Sequence, residues 1–196
     1  MTPKSKQRVR PATQRVALLG ILGAMALVLA FLENQIPAVP GLPPGAKLGL
    51  ANIVTMFAAY TMGFGSAMTI TVIKALFAGT RGLTAFFMSL SGGILSTLIL
   101  CALIRIRNNP FGILGVSIAS AVGFNAGQLL VACIMSGTPA LLAGYGPLLL
   151  LFAILTGALT GTVLRLVLPA LEKQAVRFLP DSFRKRTGSG HEKSSS

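Results

Sequence analysis

Acidic residues are scarce in this chain of 196 amino acids, which contains four of them: Glu33, Glu172, Asp181 and Glu192. They do not form the Asp-rich clusters with which a prenyl synthase holds diphosphate through magnesium, because that ion needs several hard oxygen ligands. A G-x-x-x-x-G-K-[ST] run is also missing, which excludes ATP binding of the P-loop type. We therefore expect no catalytic residues, and we expect any energy for transport to come from a partner.

Histidine and cysteine are almost as rare. The single histidine, His191, lies in a polar tail, so a histidine-based metal site is not expected. Cys101 and Cys133 both lie within apolar runs, where cysteine is typically a small packing residue, and two such residues make no disulfide framework. The sequence predicts neither a metal nor a cofactor.

Apolar residues are abundant: 53% of the chain is hydrophobic, 11% is charged, and the mean hydropathy is +0.77. This composition predicts an all-α integral membrane protein, a bundle of six transmembrane helices. The second and third segments are short and are separated by a four-residue turn, so they could instead form one re-entrant pair that does not fully cross. The predicted segments are 16–32, 48–63, 64–80, 84–104, 111–135 and 146–168.

The net charge of +13 is unevenly distributed, since 14 of the 17 basic residues lie before the first apolar run, in the loop at 105–107, or from Arg165 onward. This arrangement matches the positive-inside rule and predicts that both termini are cytoplasmic, in a chain that we expect in the cell (cytoplasmic) membrane. It favours contact with anionic lipid over a nucleic-acid partner. We expect a basic tail over 1–15, a membrane domain over 16–170 and a second basic tail over 171–196.

A few polar side chains interrupt the apolar segments. Lys74, in the third segment, either lines a cavity or extends to the outer headgroups, because an unpaired ammonium in hydrocarbon is costly. With Lys47 and Arg81 it would make the outer mouth of the bundle electropositive, which suits an acidic or phosphorylated ligand. Amides within the segments can bind a ligand or bond neighbouring helices. The predicted substrate-binding set is Asn34, Lys47, Asn52, Lys74, Arg81, Asn125 and Gln128.

Small residues spaced four apart allow helices to approach closely. Most such pairs are expected to serve internal packing, and one that faces lipid would be a docking face for another subunit. On the first segment the candidate docking pairs are Gly20 with Ala24 and Ala26 with Ala30, and further pairs are Gly123 with Gly127 and Gly157 with Gly161.

Two stretches carry a resemblance to a known family. The runs from Gly45 to Thr55 and from Ile73 to Gly79 resemble those of a family known both as heptaprenyl diphosphate synthase component I and as the Gx transporter family. The resemblance covers about residues 15–170. As a synthase component, this chain would be an accessory membrane subunit, because it lacks the catalytic acids.

That family is in turn similar to the substrate-binding S components of energy-coupling-factor (ECF) transporters. In these, a K-[LI]-x-[FL]-x-[DN]-[IL] pattern opens the second helix, and Lys47, Leu48, Leu50, Asn52 and Ile53 fit it. The resemblance implies six helices, a small-molecule ligand, a lysine at the place of Lys74, and a small-residue face on the first helix. That face would dock a transmembrane T subunit, which works with separate ATPase subunits. A structural subunit of a membrane redox complex is a further alternative.

Overall fold

The computed structural model describes residues 11–35, 49–106 and 112–175. These residues form six α-helices and no strand, and the predicted all-α fold is confirmed. The helices are α1 Pro11–Gln35, α2 Leu50–Met62, α3 Phe64–Gly79, α4 Leu83–Arg105, α5 Gly112–Ser136 and α6 Ala140–Ala175. The distal parts of the two predicted tails, 1–10 and 176–196, lie outside the described residues.

Four of these helices are long and apolar enough to cross a bilayer, over Arg15–Gln35, Leu83–Arg105, Gly112–Ser136 and Ala140–Val167. The chain is therefore a multi-pass membrane protein. Its many exposed apolar side chains, such as Ile134 and Leu166, suit a surface in contact with lipid.

Helices α2 and α3 are shorter, with 13 and 16 residues. At 1.5 Å per residue they extend for about 20 and 24 Å, less than the roughly 30 Å hydrocarbon core. A single residue, Gly63, joins them, and its φ of 88° is a conformation that side-chain-bearing residues rarely adopt.

Helix α2 forms the centre of the bundle, where it packs against α1, α3, α4 and α6. Every residue from Val54 to Ala59 is buried, so this helix is covered on all sides. A helix that is apolar all round is expected to occupy such a position. Its first turn also lies inside the bundle, next to α6, since a Cβ atom on Gly49 would lie 3.5 Å from Thr160 Oγ1. Thr160 lies about 30 Å along α6 from the start of that helix.

Glycines bring α4, α5 and α6 together. A Cβ atom on Gly127 would lie 2.8 Å from Gly92 Cα, and one on Gly157 would lie 2.6 Å from Ile118 Cα. Such distances leave no room for a side chain. The predicted packing role of Gly123 with Gly127 and of Gly157 with Gly161 is therefore confirmed, since all four lie against a neighbouring helix.

Helix α6 begins at Ala140, whereas the sequence predicted a start at 146. In the structure Pro139 precedes the first helical turn, and Leu142 N donates to Pro139 O at 3.0 Å. Proline suits a helix start because its φ is already fixed near the helical value.

Candidate functional site

A cavity with about 690 Å³ of empty space, including the part open to the surface, lies among the six helices. Among the residues that the structure describes, its wall combines two basic side chains and one acidic side chain with amides, hydroxyls, aromatic rings and small apolar residues. The polar lining residues are Glu33, Asn34, Asn52, Lys74, Arg81, Ser89, Ser117, Ser120, Asn125, Thr156 and Thr160.

Lys74 extends from α3 toward α2, in the interior of the bundle. Its Nζ donates to Asn52 Oδ1 at 2.7 Å and to Thr55 Oγ1 at 3.3 Å. These contacts replace part of the hydration that the ammonium loses in the membrane, which favours the cavity interpretation over extension to the headgroups. Lys74 lines the main cavity and a smaller one, whose empty space of about 220 Å³ also includes the part open to the surface.

Glu33, near the end of α1, stabilises the buried start of α2. Its Oε1 accepts a hydrogen bond from Leu50 N at 2.7 Å, and the residue is 8% exposed. Helix α2 has no side-chain cap of its own, because the residue before it is Gly49. A carboxylate there satisfies a free N–H group and interacts favourably with the helix dipole.

The mouth of the cavity lies at Arg81, which is exposed, and at Asn34, which is half-buried; Arg81 Nη1 donates to Asn34 Oδ1 at 2.8 Å. This contact joins the turn after α3 to the end of α1. Among the described lining residues there are two basic groups, Lys74 and Arg81, and one acidic group, Glu33. The oxygen Oε1 of Glu33 is already bonded to Leu50 N.

The remaining predicted residues differ in position. Asn125 lines the cavity and donates from Nδ2 to Leu149 O at 3.4 Å. Gln128 is buried but is not among the lining residues. It packs against Gly92 of α4, so closely that a Cβ atom on Gly92 would lie 2.9 Å from Gln128 Cγ. Lys47 lies outside the described residues.

Sequence reasoning missed a group of hydroxyl-bearing residues in the wall. Ser117 and Ser120 lie three apart on α5, and Thr156 and Thr160 lie four apart on α6. These spacings place each pair on one helix face, so their periodicity was the available signal. Two further rings, Phe77 and Phe124, were also missed, because aromatic residues in membrane segments commonly contact lipid or pack in the core.

Four of the hydroxyls around the smaller cavity form two pairs with one another. Thr71 Oγ1 lies 2.8 Å from Thr97 Oγ1, and Ser96 Oγ lies 2.7 Å from Ser120 Oγ. Ser117 differs, because its buried Oγ has no hydrogen-bond partner among the residues that the structure describes.

Comparison with solved structures defines the fold. The chain is similar to a protein described as the S component of a bacterial ECF transporter, with a TM-score of 0.65 and 18% sequence identity over 84% of this chain and 98% of that one. The bundle therefore has the S-component fold. The family model for heptaprenyl diphosphate synthase component I matches residues 22–167, and the chain belongs to that family. Both predicted resemblances are confirmed. A comparison with curated proteins gave no match.

Proposed function

We propose that this protein is a membrane-embedded substrate-binding subunit of the S-component type and that it captures a small organic anion in the cavity. The observation that carries the proposal is Lys74, whose ammonium lies in the cavity wall and is bonded by Asn52 and Thr55. A cation held among membrane helices is more often functional than incidental, because of its cost.

The rest of the lining supports an anionic ligand. Arg81 adds a second positive charge at the mouth, while Glu33 holds the start of α2. An ammonium and a guanidinium are suited to carboxylate or phosphate oxygens. Phe77, Phe124 and Met56 supply apolar surface, so the ligand we expect is an organic anion rather than a bare inorganic ion.

The direction of capture follows from charge placement in the sequence. With cytoplasmic termini in a cytoplasmic membrane, the turn that contains Arg81 would face the outside, and Arg105 would face the inside. The mouth at Asn34 and Arg81 would then receive its ligand from outside the cell.

We further propose that a T subunit docks on α1, which would connect this chain to separate ATPase subunits. Gly20 and Ala24 are exposed, and a Cβ atom on Gly20 would meet nothing within 4 Å. Ala26 and Ala30, by contrast, are 0% and 8% exposed because they pack within this chain. Of the two predicted docking pairs, the first is therefore the one available to a partner.

The family name suggests a second candidate, an accessory component of heptaprenyl diphosphate synthesis. The described part of the chain has no group of three or more residues that could hold a metal ion. Under this alternative the chain would assist a separate synthase. Its test is whether adding the purified protein to a soluble synthase changes the yield or the chain length of the product.

The capture proposal is tested by purifying the protein in mild detergent and identifying co-purified small molecules by mass spectrometry. An anionic compound should accompany the wild type and be lost from Lys74→Ala and from Lys47→Ala. Arg105→Ala, at the exposed end of α4, is the matched control and should retain it. Equal retention by both lysine variants and the wild type would contradict the proposed cavity.

A further inference from the structure

One side chain in the cavity wall is not explained by an anion site alone. Ser117 is 1% exposed, and its Oγ has no hydrogen-bond partner among the described residues. Buried hydroxyls in folded proteins are nearly always bonded, so an exception points to a missing partner.

A serine hydroxyl in a helix can donate to a backbone carbonyl of the same helix. Thr156 and Thr160 form such bonds, since each donates to the carbonyl oxygen four residues earlier, at 2.8 and 2.6 Å. Serine can form the same bond, but Ser117 does not. Its buried hydroxyl therefore has neither its donor nor its acceptors used by the described residues, and Ser117 is one of the residues that line the cavity.

Ser117 also lies deep in the site. It is 19 residues from the end of α5 at Ser136, which corresponds to about 28 Å along the helix. It faces α6, because a Cβ atom on Gly161 would lie 3.0 Å from Ser117 Cβ. The cations line the same cavity from other elements, with Lys74 on α3 and Arg81 in the turn after it.

We infer, on the basis of the proposed function, that Ser117 is a specificity residue that hydrogen-bonds an uncharged polar group of the ligand. The ligand is then an organic anion that binds Lys74 through its charge and carries a hydroxyl, carbonyl or amide group that reaches the α5–α6 wall. A purely hydrocarbon tail, such as a prenyl chain, would leave the Ser117 hydroxyl unpaired and bind less well.

The test uses pairs of probes that differ by one hydroxyl: n-alkyl phosphates and ω-hydroxyalkyl phosphates of equal length, from four to eight carbons. Binding is measured by calorimetry on the full chain in phosphatidylcholine nanodiscs, with empty nanodiscs as the blank. For at least one length the wild type should bind the hydroxylated probe about three- to ten-fold more tightly, the size of one neutral hydrogen bond.

Ser117→Ala should remove that preference. Ser91→Ala is the matched control, because Ser91 donates to Gly127 O at 2.9 Å and does not line either cavity. It should keep the preference. Ser117→Cys, which is close in size and bonds weakly, is a second variant that serves if the alanine variant does not fold.

A stability measurement adds an independent readout. Ser117→Ala removes a hydroxyl that has no partner, so the melting temperature of the ligand-free protein should not fall. Ser120→Ala should lower it, because Ser96 would lose the partner that lies at 2.7 Å.

The outcomes separate this inference from the proposed function. If neither kind of phosphate binds at any length, the anion site itself is wrong and the inference is lost with it. If both kinds bind equally, or the alkyl probe binds better, or Ser117→Ala keeps the preference, the anion site stands and the role of Ser117 is wrong. Better binding of the alkyl probes would instead favour a hydrocarbon-tailed ligand.

Discussion

The contact between Glu33 and Leu50 allows a prediction that needs no ligand. Replacing Glu33 by Ala removes the carboxylate that accepts from Leu50 N at 2.7 Å. A hydrogen bond to a charged group contributes about 1.5–3 kcal/mol, and the helix dipole adds about 0.3–1 kcal/mol. Part of this gain is offset by the cost of burying the carboxylate, which is 8% exposed. We therefore expect the first turn of α2 to open about 2 kcal/mol more easily in Glu33→Ala.

Hydrogen exchange measured by mass spectrometry tests this expectation. A change of about 2 kcal/mol corresponds to about 30-fold faster exchange of the amides in the first turn of α2, since each 1.4 kcal/mol is a factor of ten. Glu33→Gln should show a smaller effect, because the amide oxygen can still accept the bond without the charge. Gln35→Ala is the control, since Gln35 is exposed at the same end of α1.

The charge of Glu33 should have the opposite effect on ligand binding: its loss weakens the start of α2 but should strengthen the binding of an anion. Glu33→Gln removes a negative charge from a wall whose described residues also include Lys74 and Arg81, so the affinity for an alkyl phosphate should rise. Unchanged exchange at Leu50 in Glu33→Ala would refute the capping role. A fall in phosphate affinity in Glu33→Gln would refute the electrostatic reasoning.

Further predictions concern the cation, the helix packing and the docking face. Lys74→Met should weaken alkyl phosphate binding by about 30- to 150-fold, or about 2–3 kcal/mol, which is the usual cost of truncating a partly desolvated charge contact; unchanged calorimetric affinity would contradict it. Gly127→Ala should lower stability by about 1–3 kcal/mol in thermal melts, because the new Cβ would lie 2.8 Å from Gly92 Cα, whereas Gly65→Ala, with nothing within 4 Å, should be neutral or stabilising. Gly20→Leu should leave the fold intact but reduce co-purification with a co-expressed T subunit; undiminished recovery would exclude this docking face.

The fold was largely predictable because long apolar segments leave few alternatives in a membrane. The ends of helices were less so. The start of α6 at Ala140 depends on the conformation of the turn at Gly137, whose φ is 61°, and composition alone did not indicate it. The central position of α2 depends on contacts with four other helices, which no local pattern specifies.

Part of the candidate site could be predicted, namely where a residue type is unusual in apolar surroundings. Lys74 and Asn52 stand out for that reason, and both line the cavity. Ser117 did not stand out, because serine is common in membrane helices and can bond to its own backbone. Gln128 stood out but packs beside Gly92, since the sequence does not determine which face of α5 meets α4.

The cap on α2 has a mechanical consequence for the whole molecule. Helix α1 is continuous from Gly20 to Glu33, Glu33 is bonded to Leu50, and Asn52, in the same helical turn, is bonded to Lys74. Helix α1 cannot slide along its axis unless the Glu33 bond breaks or α2 moves with it. A load applied by a partner at Gly20 would thus be transmitted over about 20 Å of helix to the residue that positions the cation.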